Sequence, residues 1–217
     1  MLLWTPPEVE TPPRPVVQED LVRAKAAVGL MLYAATVPDS APPPVDPFRE
    51  DVKIAAEDNL YDLTPGFRDD CSGFVSAVFS QAGAPMDGTV ATIWALALKN
   101  GAVHYRPIPE VGDLVFFDNT HDRNGNGDLD DELTHIGVVV KVDSDGTATF
   151  AHGGTSRGRV YGRINVLRYW ETKDDRGERL NSYVRDPEPW DPVEASYLAG
   201  ELWVAFATVD PDQDWYE

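Results

Sequence analysis

The chain has 217 residues, 42% hydrophobic and 25% charged, which suits one soluble domain with a sizeable core plus extra segments. Its formal net charge of -19 repels phosphate backbones and argues against sequence-independent nucleic-acid binding. The single cysteine, Cys71, rules out an intrachain disulfide, and no apolar run approaches the ~20 residues that span a bilayer.

Residues 1–18 are rich in proline and are expected to form an extended leader. They lack the basic and apolar regions of an intact signal peptide, and their composition is that of a tether following a removed one. From Asp20, a candidate N-cap, Leu21, Ala24, Val28 and Leu32 recur at helical spacing. The run PDSAPPPVDP at 38–47 reads as a connecting loop, and the polar stretch from there to Asp70 has no clear assignment.

The string CSGFVSAVFSQAG predicts a helix with Phe74, Val75, Val78, Phe79 and Ala82 on its apolar face and Gly83 just past its end. TVATIWALALKNG predicts a second, capped by Thr89 and stopped at Asn100-Gly101. The period then changes. GDLVFF, THIGVVVKV, TATFAHGG and RVYGRINVL read as strands, with a tight hairpin at Asp143–Gly146. Helices followed by an antiparallel sheet make the fold class α+β.

Residues 157–185 carry eight Arg or Lys, and residues 186–217 carry nine Asp or Glu and no base. These read as two solvated surfaces lying against each other. YLAGELWVAFATV is apolar enough to pack on the core as either helix or strand, and Trp190, Trp203 and Trp215 read as packing residues.

Cys71 opens its helix, where the unpaired N–H groups and the positive dipole end favour a thiolate and can stabilise an oxyanion. Gly73 leaves room for a substrate backbone. A thiolate nucleophile needs a proton acceptor, usually histidine. His135 opens an apolar strand and His152 ends the next one, so antiparallel pairing can bring them side by side, one as base and one orienting it.

These motifs resemble the NlpC-like cell-wall peptidases, papain-like cysteine hydrolases. Asp70-Cys71-Ser72-Gly73-Phe74-Val75 is similar to that family's nucleophile motif, and Gly112-Asp113-Leu114-Val115-Phe116-Phe117 to its first strand. His135-Ile136-Gly137-Val138-Val139 is similar to its base motif and Phe150-Ala151-His152 to its third-residue motif. The order is the family's, with 64 positions separating Cys71 from His135. The sister family of CHAP amidases shares this chemistry.

The resemblance implies a papain-like core spanning 19–185, with an acidic loop inserted at 119–133 and an acidic C-terminal extension at 186–217 packed on it. It implies hydrolysis of an amide in peptidoglycan stem peptides, typically between D-glutamate and a diamino acid. Cys71 would be nucleophile, His135 base and His152 orienter, with the Cys71 N–H in the oxyanion hole. Asp70 and Ser72 would hold the substrate's free amine. Tyr61 would match the family's upstream tyrosine, although Thr64-Pro65-Gly66-Phe67 replaces the usual Gly-Gly approach. No cofactor is needed for catalysis. The expected protein is a monomer, exported to the cell envelope or beyond. The same fold also accommodates a cysteine acyltransferase or deamidase acting on proteins, or a non-catalytic wall-associated module.

In DRNGNGDLDDEL, Asp122, Asn124, Asn126, Gly127, Asp128 and Asp130 follow the rhythm of an EF-hand loop. Leu133 stands where the twelfth-position Glu belongs, and strands flank the loop in place of helices. The loop is therefore either a structural calcium site or a solvated polar loop.

Overall fold

The computed structural model describes Ala27 and residues 46–216. The leader, and all of the helix expected from residue 20 except Ala27, lie outside the described residues.

The polar stretch before Cys71 forms a helix, α1 (Pro47–Tyr61). Pro47, expected in a loop, occupies its first turn, where its missing N–H costs nothing. The Asp46 carboxylate accepts the Phe48 N–H at 3.0 Å and caps it. Its buried residues are Val52, Ala55, Ala56 and Asn59, too small and mixed to make an audible apolar stripe. Helices α2 (Cys71–Gln81) and α3 (Val90–Lys99) follow, capped by Asp70 and Thr89.

The strands are β1 (Val103–His104), β2 (Leu114–Phe117), β3 (His135–Val142), β4 (Ala148–Thr155), β5 (Gly158–Ile164) and β6 (Trp203–Ala207). They form one antiparallel sheet in the order β1-β6-β2-β3-β4-β5. Helices packed against this sheet give the expected α+β, papain-like fold. Asp143 and Gly146 close the β3–β4 hairpin through the Gly146 N–H to Asp143 carbonyl bond, 3.0 Å.

Two apolar layers flank the sheet. On one side Phe74, Val78, Phe79 and Ile93 meet Ile136 and Val138; on the other Val139 and Phe150 meet Leu202 and Trp203. Because β3 is buried on both faces, it reads as a continuous apolar run rather than an alternating one. The C-terminal segment does not merely lie against a finished core. After a one-turn helix, α4 (Ala199–Leu202), it enters the sheet as β6 between β1 and β2. Five consecutive buried residues, WVAFA, suit a strand covered on both faces.

Asp113, fully buried, ties these parts together. Its carboxylate accepts the Glu110 N–H and the Thr208 hydroxyl, each at 2.8 Å, and lies 3.4 Å from Arg49 of α1 and 3.2 Å from His104 Nε2. Removing one partner of a buried charge network strands the others. Asp113→Ala is expected to lower unfolding free energy by about 3–5 kcal/mol, measured by urea titration with circular dichroism.

Candidate active site

Cys71 sits at the first position of α2, and the cap that starts the helix also builds the surroundings of the thiol. Asp70 Oδ1 accepts the Gly73 N–H at 2.7 Å and the Ser72 hydroxyl at 3.0 Å, while Oδ2 takes Arg68 Nε at 3.0 Å. Arg68 Nη2 also donates to Ser72 Oγ, 3.0 Å, and to the Gly88 carbonyl, 2.6 Å. Asp70 and Ser72 are thus engaged within the cap, and of the two only Asp70 lines the cleft beside Cys71. Gly73 is buried away from that cleft. A Cβ there would stand 2.1 Å from the Arg68 carbonyl, so internal packing, rather than substrate approach, demands a glycine. Tyr61, 83% exposed at the end of α1, is also outside the cleft lining.

The two strand histidines do come together. Val138 pairs with Ala151 in the β3–β4 ladder, which sets His135 and His152 on a diagonal. His135 Nε2 lies 2.8 Å from His152 Nδ1, with the rings at 84°. Gly137 makes this possible: a Cβ there would meet Phe150 at 2.8 Å and the His152 Cβ at 3.3 Å. At the end of β4 the backbone passes directly over the nucleophile. A Cβ on Gly154 (φ 69°) would lie 2.7 Å from the Cys71 nitrogen. Cys71 at the helix start, His135 and His152 are therefore seated against one another by backbone packing.

Burial governs the charges. It lowers the His135 pKa to about 4, with nearby His121 adding to the effect. It also drives His152 well below the usual imidazole range, assisted by His135. Burial and then the Asp70 charge raise the Cys71 pKa, against N–H donors from Ile136, Ser72 and Cys71 itself. The thiolate expected from the helix N-terminus is therefore not the resting form. The donors point at the sulfur, but desolvation and Asp70 outweigh them. The resting pair is a neutral thiol and a neutral imidazole.

The cleft has a volume of about 810 Å³. Cys71, His135 and His152 line its floor. One wall is the inserted loop, which contributes His121, Asp122 and Asn126; another is the C-terminal arm, with Tyr183, Arg185, Glu188 and Trp190. Trp203 and Trp215 are buried as expected, but Trp190 is 63% exposed and faces the cleft. Its neighbours are charged and turn-forming, leaving no apolar surface for it to cover. His121 and the arm were not legible beforehand: a histidine in a polar loop and an acidic tail carry no periodic signal. His104 belongs instead to the Asp113 network.

Among the described residues no group of three or more His, Cys, Asp or Glu converges as a metal site. The candidate calcium loop adds two asparagines. Asp122 accepts the Gly125 and Gly127 N–H groups at 2.6 and 2.9 Å, closing the turn. Asn124 and Asn126 turn their NH₂ groups toward Asp130, at 3.1 Å and 3.1–3.2 Å. Their oxygens accept backbone N–H bonds from Asn126 and Asp128. The loop thus already has its turn and a convergent set around Asp130. A cation there would require both amides to rotate and present oxygen, giving up the backbone N–H bonds they now accept.

A histidine kept neutral by burial destabilises the fold in acid. The unfolded imidazole takes its proton near pH 6.5, whereas folded His135 resists until about 4. Stability is then fully present above 6.5 and falls as pH drops toward 4, by about 3 kcal/mol for this group. Urea titrations at pH 7 and 4.5 are expected to show that loss in the wild type and a smaller one in His135→Gln.

A family comparison now adds to this geometry. Residues 61–154 match the CHAP domain model, a little under half of the chain. That span holds Cys71, His135 and His152 and ends at Gly154; the arm and β6 lie beyond it. No curated protein and no solved structure gives a match. No helix among the described residues is long and apolar enough to cross a membrane. Of the two sister families that share these motifs, the match over residues 61–154 is to the second, the CHAP domain, a cysteine amidase domain related to the papain-like enzymes.

Proposed function

We propose that this protein hydrolyses an amide in peptidoglycan stem peptides with Cys71 as nucleophile, His135 as base and His152 as its orienter. The observation that carries the reading is the 2.8 Å contact between His135 Nε2 and His152 Nδ1, beside Cys71 in one cleft. With His135 Nε2 donating to His152, the Nδ1 lone pair of His135 is left to accept the thiol proton. Because the resting pair is neutral, this transfer accompanies attack rather than preceding it. Sulfur bonds to the carbonyl carbon, and the oxyanion takes the Cys71 N–H at the helix start. Imidazolium returns the proton to the departing amine as the C–N bond breaks. Water, deprotonated by His135, then hydrolyses the thioester and restores the thiol.

The bond proposed is the one between D-glutamate and the diamino acid. Asp70, the carboxylate nearest Cys71 in the cleft lining, supplies a negative charge for the substrate's free amine; Ser72 supports it through their hydrogen bond. Such a substrate lies outside the cytoplasm, and the protein is proposed to act there as a monomer, without a catalytic cofactor.

Calcium is proposed as a structural ligand of the inserted loop, held by oxygens of Asp122, Asn124, Asn126, Asp128 and Asp130. Only Thr134 separates the loop from the base, so an ordered loop stiffens the start of β3.

Mass spectrometry of muropeptides is expected to show cleavage by the wild type and none by Cys71→Ala, the product masses naming the bond. His152→Ala, which leaves the base unoriented, is expected to lower kcat about 100-fold or more with KM little changed. Products cut at another bond would replace the D-glutamyl assignment, and an inactive wild type would remove the hydrolytic reading. Calorimetry is expected to show one calcium bound per chain and none in Asp122→Ala; absence of binding by the wild type would leave the loop a polar connection.

A further inference from the structure

The C-terminal arm lies outside the CHAP match, yet it walls the cleft, and one of its residues reaches the segment leading into the base. Arg185 is 3% exposed. It is paired with Asp191, through Nη2 to Oδ1 and through Nε to Oδ2 at 3.4 Å. Asp191 is held in turn by the Glu188 N–H at 2.9 Å. The remaining guanidinium nitrogen, Nη1, donates to the Asn119 carbonyl at 2.8 Å.

Asn119 is the neck of the inserted loop. It adopts a left-handed backbone (φ 53°), a conformation that side chains other than glycine rarely take without support. Asn119 and Asp131 exchange two bonds across the neck, each 2.8 Å. The next residue, Thr120, donates its N–H and its hydroxyl to Thr134 Oγ1, both at 2.9 Å. Thr134 immediately precedes His135 and donates its N–H to the Phe117 carbonyl at 3.0 Å. Arg185 therefore holds the left-handed residue of a closed neck whose other side is the start of the base strand. A buried ion pair is weak evidence for stability, but it can specify a single geometry. Of the donors of Arg185, two go to its counter-ion and one to this carbonyl.

We propose that Arg185, set by Asp191, is a positioning residue that fixes the neck of the inserted loop and thereby the placement of His135 against Cys71. The proposal rests on the reading of Cys71 and His135 as nucleophile and base. It makes the arm, which the family match does not reach, a working part of the active site. A shift of about 1 Å in a reacting group can cost about 100-fold in rate, so a hold at two residues' distance is enough to matter.

The test uses the only thiol in the chain. The rate of Cys71 alkylation by iodoacetamide is measured against pH in the full-length wild type, Arg185→Met, Asp191→Asn and His135→Ala, with circular dichroism and melting to establish folding. Arg185→Met is expected to slow alkylation at pH 7 about 10-fold and to move its profile toward that of an unassisted thiol, with Asp191→Asn changed in the same direction and Arg185→Lys partly restored. A folded Arg185→Met or Asp191→Asn with the wild-type profile would overturn the proposal; if Arg185→Met does not fold, Asp191→Asn decides. If His135→Ala leaves the profile unchanged, the base assignment has failed instead. The hold on His135 is then read from its imidazole NMR signals. Displacement of those signals in the folded arm variants, with none in an Arg176→Met control, supports the hold; unmoved signals remove it.

Discussion

The antiparallel pairing of β3 with β4 is the constraint on which the rest depends. It is a backbone ladder, yet it decides where two imidazoles stand, because its register places His152 diagonally across from His135. A slip of either strand by one residue would turn its ring to the opposite face and separate the two. Gly137 protects the arrangement on one strand, and Gly154 lets the far end of the other lie on the nitrogen of Cys71. Cys71 is thus positioned by the strand that carries His152 rather than by its helix alone.

The electrostatic character of the site follows from the same packing. Seating two buried histidines beside a half-buried thiol under the sheet ends strips away much of their water. Desolvation then works against every charged form at once, and the helix N-terminus does not reverse it. What remains is a neutral pair, and in the proposed mechanism its proton transfer is coupled to bond formation. That state avoids a standing buried charge, at the expense of a fold that weakens when acid forces the histidines to protonate.

The cleft above this floor is built by segments with a different logic. The inserted loop and the C-terminal arm carry mostly charged and turn-forming residues, and they are held at the loop neck by a few well-placed bonds. Asp113 does for the helix–sheet junction what Arg185 does for the loop neck: one buried charge gathers donors or acceptors from elements far apart in the chain. Such charges add more to uniqueness of arrangement than to stability.

The residues proposed to do the chemistry were readable in the sequence because their types are rare and their setting is local. Cys71 stands before a periodic apolar stretch, and His135 opens, and His152 lies in the second half of, strands whose composition announces them. Helices α2 and α3 were equally plain, each with a side-chain cap and a strong apolar stripe. Helix α1 was not, since its buried face is made of Val52, two alanines and Asn59. Nor was β6, whose apolar run suits helix or strand until the gap between β1 and β2 selects the strand. Sequence by itself determined which side chains can react and the order of elements that carries them, because those depend on residue type and local period. Only the tertiary structure decided the resting protonation of the thiol, the occupation of Asp70 and Ser72 by the cap, the exposure of Trp190, and the reach of Arg185 to Asn119. Each of these is set by burial or by contact between residues distant in the chain, to which no local pattern corresponds.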